Sequence, residues 1–329
     1  MSFFRYPGGK SKLRNQIAAR LDTIANGHNL EYREPFFGGG SIGLKVLQDN
    51  TLIKKLWIND NDLGISCLWT SVIQHPDFLK KLVNKFTPSV KKFDDFKTEL
   101  TAENPTKPKT AEEIAQYGFM KLAIHQISYS GLGTMSGGPL GGRKKENIAG
   151  RGMTDEVKYP IDCRWSPDYI CKKIDQLHTK MVGLSIRKNR CTCLDFADVI
   201  DDTENDAVIY LDPPYFVKGN DLYQHGFTEE DHHRLATSLK NTKHQWVLSY
   251  DDCPEIRDLY NWAFIEEIDG VNYSITALKD KKTGERLTRT KMELLIYPSG
   301  CIIKDVLNER IFNVSSNEDF SATNCETAI

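Results

Sequence analysis

The sequence predicts an α/β fold: an open, Rossmann-like sheet interrupted by a helical, loop-rich insertion. Three observations carry that expectation. Residues 207–211, AVIYL, are apolar throughout and end at a turn signal, the pattern of a parallel strand buried on both faces. Residues 31–49, EYREPFFGGGSIGLKVLQD, read as a strand, a glycine-rich turn and a helix. Between these two stretches, residues 70–183 alternate helical patterns with polar, proline- and glycine-bearing segments.

Taken in order, LIKKLWIND (52–60) supplies a second strand. Residues 65–100 are helical with a break at His75-Pro76, and ENPTKPKT (103–110) is a linker. AEEIAQYGFMKLAIHQI is helical, and residues 128–152 form a long glycine-rich loop that could order on a partner. Ser166-Pro167 starts another helix, an N-cap followed by proline, whose Ile170, Ile174, Leu177 and Met181 share one core face. The α/β pattern resumes with GLSIR (183–187), AVIYL, a helix opening at Thr228 and the strand HQWVLSY (244–250). His232-His233 falls on a polar helix face, and Asp251-Asp252 reads as a turn cap. AFIEEIDGVNYSITALKD and RTKMELLIYP alternate as two antiparallel strands, and a polar tail follows. The division expected is therefore residues 1–69 and 184–312 as the sheet domain, 70–183 as the insertion and 313–329 as the tail.

Composition narrows the class. With 40% hydrophobic and 27% charged residues among 329, the chain is of ordinary globular make-up. MSFFRYPGGK lacks the apolar segment of an export signal, and no run reaches membrane-spanning length, so no membrane partner is expected. Eight cysteines without a CxxC framework read as reduced cytoplasmic thiols, and no metal is called for. A net charge of −2 excludes a global basic field, leaving local clusters to meet any nucleic acid. Two exist: RKKENIAGR (143–151), with Arg143, Lys144, Lys145 and Arg151, and KDKKTGERLTRTK (279–291), with Lys282, Arg286 and Arg289, around a hairpin turn.

The chemistry concentrates where AVIYL ends. Asp212 stands at the carboxyl end of a buried strand, where open α/β sheets bind ligands. Pro213 and Pro214 stop strand pairing and hold the carbonyls that follow the acid rigidly, ahead of Tyr215. Gly38, Gly40 and Gly43 form a literal GxGxxG, and Asp60 lies where a ribose-binding acid belongs. An NAD-dependent oxidoreductase would use that turn, but gives no role to DPPYF or to YPGGK (6–10). A P-loop nucleotidase is excluded, because Phe4 occupies the position of the first Walker glycine. S-adenosylmethionine uses all of these parts: a glycine turn, an acid for its ribose, Lys10 beside Gly8 and Gly9 for its carboxylate, and an acceptor site beyond the strand ends.

Residues 3–13 (FFRYPGGKSKL), 34–43 (EPFFGGGSIG), 59–62 (NDND) and 212–216 (DPPYF) together resemble the ordered motifs of Dam-type (D12 class) adenine-N6 DNA methyltransferases. Leu194-Asp195-Phe196 fits that family's adenine-binding segment, and RTKMELLIYP its last strand. The resemblance implies a class I S-adenosylmethionine-dependent sheet with a target-recognition insertion. It implies a cofactor site of Tyr6, Gly8, Gly9, Lys10, Glu34, Pro35, Phe36, Gly38, Gly40, Ser41, Asp60, Asp195, Phe196 and Asp212. Asp212 to Tyr215 become the methyl acceptor site. An exocyclic amino group is a poor nucleophile, and acceptors at the Asp212 carboxylate and the Pro213 carbonyl would favour the charge that develops on attack. The adenine must be flipped out of double-stranded DNA, with Tyr129, Ser130 and both basic segments as DNA contacts. An enzyme acting as a monomer in a bacterial cytoplasm, or expressed from a phage or mobile element, with a cognate restriction nuclease as a candidate partner, follows from the same resemblance. Ser130 and Thr134 depart from the GATC-reading members, so the target sequence stays open. N4 of cytosine on the same fold is the nearest alternative acceptor.

Overall fold

The structure is a computed structural model and describes residues 4–10, 12–25, 31–49, 53, 55–183, 190–216, 226–268, 292–299, 302–304 and 311–313. Much of GLSIR, the basic hairpin segment 279–291 and the tail beyond Asn313 lie outside these residues. In chain order the first half runs α1 (Arg14–Ala25), β1 (Glu31–Glu34), α2 (Gly43–Asp49), β2 (Lys55–Asn59), α3 (Leu63–Gln74), α4 (Pro76–Lys85), α5 (Val90–Leu100) and α6 (Ala111–Ile127). Then follow α7 (Pro167–Gly183), β3 (Arg190–Thr192), α8 (Phe196–Ile200), β4 (Ala207–Leu211), α9 (Glu229–Asn241), β5 (Gln245–Asp251), α10 (Pro254–Leu259), β6 (Phe264–Ile268) and β7 (Glu293–Tyr297). A separate antiparallel pair, β8 (Ile302–Lys304) and β9 (Ile311–Asn313), ends the described chain.

Among the described residues seven strands form one sheet in the order β3-β2-β1-β4-β5-β7-β6. The first five pair in parallel, and β7 enters antiparallel between β5 and β6, as the alternation in the last third predicts. The doubly wound order buries the central strands on both faces. Val208 and Tyr210 of β4 face one hydrophobic cluster, while Ala207, Ile209 and Leu211 face the other. The charged strand EYRE is also wholly buried, and period-two geometry explains how. Arg33 bonds to Glu31 at 2.7 Å on one face, and the Tyr32 hydroxyl donates to Glu34 at 2.6 Å on the other.

The insertion is a helical layer that shares the sheet's core rather than a lobe behind a linker. α3 runs unbroken through residue 70, capped by Asp62, whose carboxylate accepts from the Ile65 amide at 3.1 Å. The stretch 65–100 holds three helices, because Pro88 adds a second break to the one at Pro76, and Ser89 caps the third. Thr110 and Glu113 close a capping box on α6, which is buried almost all round. Ile170, Ile174, Leu177 and Met181 of α7 are buried on one face as expected.

Residues 128–152 are folded onto themselves instead of forming an open loop. Two single 3-10 turns cover Tyr129–Gly131 and Gly133–Met135, and the buried Asn147 amide bonds to the carbonyls of Leu140 and Gly142 and to the Ile161 amide. His232 corrects the polar-face reading: it is buried, bonded to the Tyr250 hydroxyl of β5 and packed against Phe216 and Phe227. Asp251 belongs to β5, and only Asp252 serves the next helix, pairing with Arg257 at 2.7 Å.

α3 and α6 meet at Gly118, where an added Cβ would come within 2.6 Å of the Leu68 backbone. Gly118→Val should therefore force the two helices apart and destabilise the fold by about 2 kcal/mol or more. An unchanged midpoint of urea unfolding would contradict this contact.

Candidate active site

Strands β1 and β4 lie side by side, with their successors β2 and β5 on opposite flanks. That reversal of winding leaves a crevice beyond their carboxyl ends. A cleft of about 1170 Å³ of empty space, partly continuous with solvent, opens there. It brings together Tyr6, Gly8, Gly9, Glu34, Pro35, Phe36, Gly38, Gly40, Ser41, Asp60, Asp195, Phe196, Asp212 and Pro214, residues drawn from five separate stretches of the sequence.

At one end of the cleft Asp212 follows β4 directly. Lys10 Nζ donates to Asp212 Oδ1 at 2.6 Å, and the Ser249 hydroxyl of β5 donates to the same oxygen at 3.1 Å. Lys10 is 2% exposed and also lies 3.4 Å from Glu293 Oε1 at the start of β7. Its ammonium sits 4.6 Å from the Tyr215 ring centroid, and the Tyr215 hydroxyl donates to Glu293. Lys10, though within the glycine motif, thus bridges two carboxylates at the DPPY end. Burial pushes the Glu293 carboxyl above the usual range, against the pull of Lys10 and Tyr215.

The glycine turn occupies the other end. Gly38 and Gly40 have φ of +47° and +67°, which glycine adopts without strain. Their missing side chains make room mainly for the protein itself: a Cβ at Gly38 would strike the Tyr6 ring, and one at Gly40 would strike Phe37 and Trp69. The turn is held from below by the Trp69 indole, which donates to the Gly38 carbonyl at 2.9 Å. Asp60 accepts from the Gly38 amide at 2.8 Å and the Asp62 amide at 2.9 Å. Burial and the neighbouring Asp62 charge push its carboxyl up to about 7. Glu34 is pushed well above the carboxylate range by burial, with the charge of Asp212 adding to the effect.

Between the ends, Phe36, Phe196 and Phe227 form an aromatic wall with ring centroids 5.6–5.8 Å apart. Asp195 caps α8 by accepting from the Ala197 amide and pairs with Arg234 at 2.8 Å. Asn59 joins the strand ends: its amide donates to the carbonyls of Pro35 and Leu194 and accepts from Thr192 and the Leu194 amide. That uses its full hydrogen-bonding capacity.

The helical insertion closes the cleft with Lys121, His125, Leu132, Thr134 and Met135. Lys121 pairs with Asp62. His125 Nδ1 bonds the Gly131 carbonyl at 2.8 Å, and burial, then Lys121, lower its pKa to about 3, so the ring is neutral and Nδ1 carries the proton. Arg5 donates to the carbonyls of His125, Gln126 and Ser128 at the end of α6. The turn so held carries Tyr129, 65% exposed, and Ser130, also exposed, at φ +55°.

The basic residues divide. Arg143 is tied bidentately to Asp94 at 2.7 and 2.8 Å, and Lys144 lies 3.8 Å from Glu156. Lys145 and Arg151 are exposed. Lys282, Arg286 and Arg289 lie outside the described residues. Sequence reasoning missed Arg5, Asn59, His125 and Glu293. Of these Glu293 carried a readable signal, an acid at the edge of the apolar run ELLIY, the same arrangement that marks Asp212.

The comparisons with known proteins agree with this arrangement. A model of the D12 class N6 adenine-specific DNA methyltransferases matches residues 6–132 and 168–273. The match takes in YPGGK, the glycine turn, NDND and DPPYF, and leaves out most of the glycine-rich segment and the residues after it. The Type II methyltransferase M.MjaIII of Methanocaldococcus jannaschii is 23% identical over 248 residues, 71% of this chain and 77% of that protein. Neither the cytosine nor the oxidoreductase alternative is favoured. With its Rossmann-like sheet and a family match over most of its length, the chain belongs to the D12 class N6 adenine-specific DNA methyltransferases.

Proposed function

We propose that the methyl donor is S-adenosylmethionine and that it binds in the cleft, from the aromatic wall to the glycine turn. The chemistry of the donors supports the fit. Phe36 and Phe196 offer faces for a purine, Asp60 offers a carboxylate for ribose hydroxyls, and Tyr6, Gly8, Gly9, Pro35 and Ser41 border the rest of the space. When bound, the cofactor supplies a sulfonium methyl group. Asp212 and the Pro213 carbonyl accept hydrogen bonds from the two N–H groups of the target amino group, the two prolines keep these acceptors from moving as positive charge develops, and one proton leaves the methylated nitrogen after or late in transfer. Pro214 borders the acceptor space, and Tyr215 offers a ring for stacking. The observation that carries the reading is the shared cleft: the carboxylate after AVIYL and the acid-lined glycine turn border one space.

The target adenine leaves the duplex, at a cost of a few kcal/mol in stacking and pairing. Residues 70–183 form the target-recognition unit in this reading, and 1–69 with 184–312 the catalytic one. The turn at Tyr129 and Ser130 meets the DNA beside the opened pair, and the stretch 133–167, outside the family match, carries the chain's own sequence preference. The enzyme acts as a monomer. A partner nuclease with the same target fits the Type II designation of its relative. Cytoplasmic action belongs to the same reading; among the described residues no helix is long and apolar enough to cross a membrane.

Nucleoside mass spectrometry of unmethylated mixed-sequence DNA after incubation with S-adenosylmethionine tests the reading. N6-methyladenine should form, and Asp212→Ala should lower its rate by about 10²-fold or more. N4-methylcytosine instead would overturn the substrate.

Asp60 gains its charge as pH rises through about 7, and the ionised carboxylate is the better acceptor for ribose hydroxyls. Calorimetric affinity for S-adenosylmethionine should rise about tenfold from pH 6 to pH 8, and Asp60→Asn should flatten that rise. A flat wild-type profile would remove Asp60 from this role.

Lys145→Ala and Arg151→Ala should each weaken DNA binding and reduce the salt slope by about 1. Arg143→Ala, whose charge Asp94 already meets, should change the slope less. Equal changes for all three in salt titrations would contradict the distinction.

A further inference from the structure

Lys10 and Tyr215 both bond to a residue outside the four motifs. Glu293 opens β7, and its backbone is held on both sides, opposite Asp251 of β5 and Ile268 of β6. Its buried carboxylate meets the Lys10 ammonium at 3.4 Å and takes the Tyr215 hydroxyl. Among the described residues, both bonds to the Asp212 carboxylate, from Lys10 and from Ser249, land on Oδ1. Oδ2 therefore keeps its lone pairs.

We infer that Glu293 is a positioning residue for methyl transfer: it shares Lys10 with Asp212 and anchors Tyr215, so that these three charged groups together carry one net negative charge. The charge count gives the reason. Asp212 with Lys10 alone is neutral, and a neutral pair offers little to an amino group that becomes positive as it is methylated. A second buried carboxylate beside the same ammonium leaves these three groups, when Glu293 is ionised, with a net charge of −1, which the developing cation balances. Burial strengthens that balance, because the groups lie away from water. The bond to Tyr215 also fixes the ring from its hydroxyl end, so the surface proposed to stack on the base is set before the base arrives. Lys10 over the same ring completes the arrangement as a cation–π contact.

This inference rests on the proposed acceptor role of Asp212, and the experiment separates the two. Full-length Glu293→Gln is nearly isosteric and keeps an oxygen for Lys10 and Tyr215, so it removes charge with little change of shape. Single-turnover methylation should slow by about tenfold or more, while S-adenosylmethionine and DNA dissociation constants stay within about twofold. Tyr215→Phe, which removes only the hydroxyl, gives a second route should Glu293→Gln prove unstable, and should slow the reaction at unchanged binding. The double variant should lose less than the product of the two single losses, because both act through one contact. A wild-type rate in Glu293→Gln, a rate loss matched by a loss of binding, or multiplicative losses in the double variant would each overturn the inference. Asp212→Ala is the control. If it stays active, the acceptor-site reading itself fails; if it is inactive beside a wild-type-like Glu293→Gln, only the role of Glu293 falls.

Discussion

One buried ammonium organises the site. Lys10 Nζ is almost wholly removed from water, and an unpaired charge so placed would destabilise the fold by several kcal/mol. Its two carboxylates come from the end of β4 and the start of β7, so pairing it draws the segment after Tyr6 onto the carboxyl edge of the sheet. With that segment come Gly8 and Gly9, which border the cleft, and Arg5, which reaches the end of α6. The position of the insertion's Tyr129 turn relative to the DPPY loop follows from this chain of contacts.

The glycine turn shows how packing and chemistry share one set of residues. Its glycines read at first as a way for backbone to approach a ligand. In the fold they admit the rings of Tyr6, Phe37 and Trp69, and those rings hold the turn in place. The shape of the turn is thus set from beneath by the protein's own side chains. The fully used amide of Asn59 acts similarly, keeping three strand ends in register where the cleft needs its acids aligned.

Much of this was legible in the chain because the signals are local. A five-residue apolar strand followed by Asp-Pro-Pro, a glycine turn between strand and helix, and an N-cap before Pro167 each state their structure within ten residues. The match to the D12 family then agrees with the function that the ordered motifs implied. What stayed hidden depends on distant partners. His232 looked like a surface residue, because helix periodicity cannot reveal the Tyr250 hydroxyl beneath it. Arg5, His125 and Glu293 look unremarkable beside their neighbours: Arg5 reaches His125 120 positions away, His125 reaches Gly131, and Glu293 reaches Tyr215 78 positions away and Lys10 near the other end of the described chain. His125 shows that even a short separation hides a bond when an irregular turn intervenes. The helical stretch 65–100 divides twice where one break is expected, and the second break does have a local signal, Pro88 ahead of the N-cap Ser89.

The separation between Lys10 and Asp212, 202 residues, bears on how the enzyme comes into being. Closing so long a loop loses much chain entropy before any contact rewards it. The Lys10 contact needs β4 in place, and its second carboxylate needs β7. The ion-pair cluster around Lys10 is therefore complete only with β7 in the sheet.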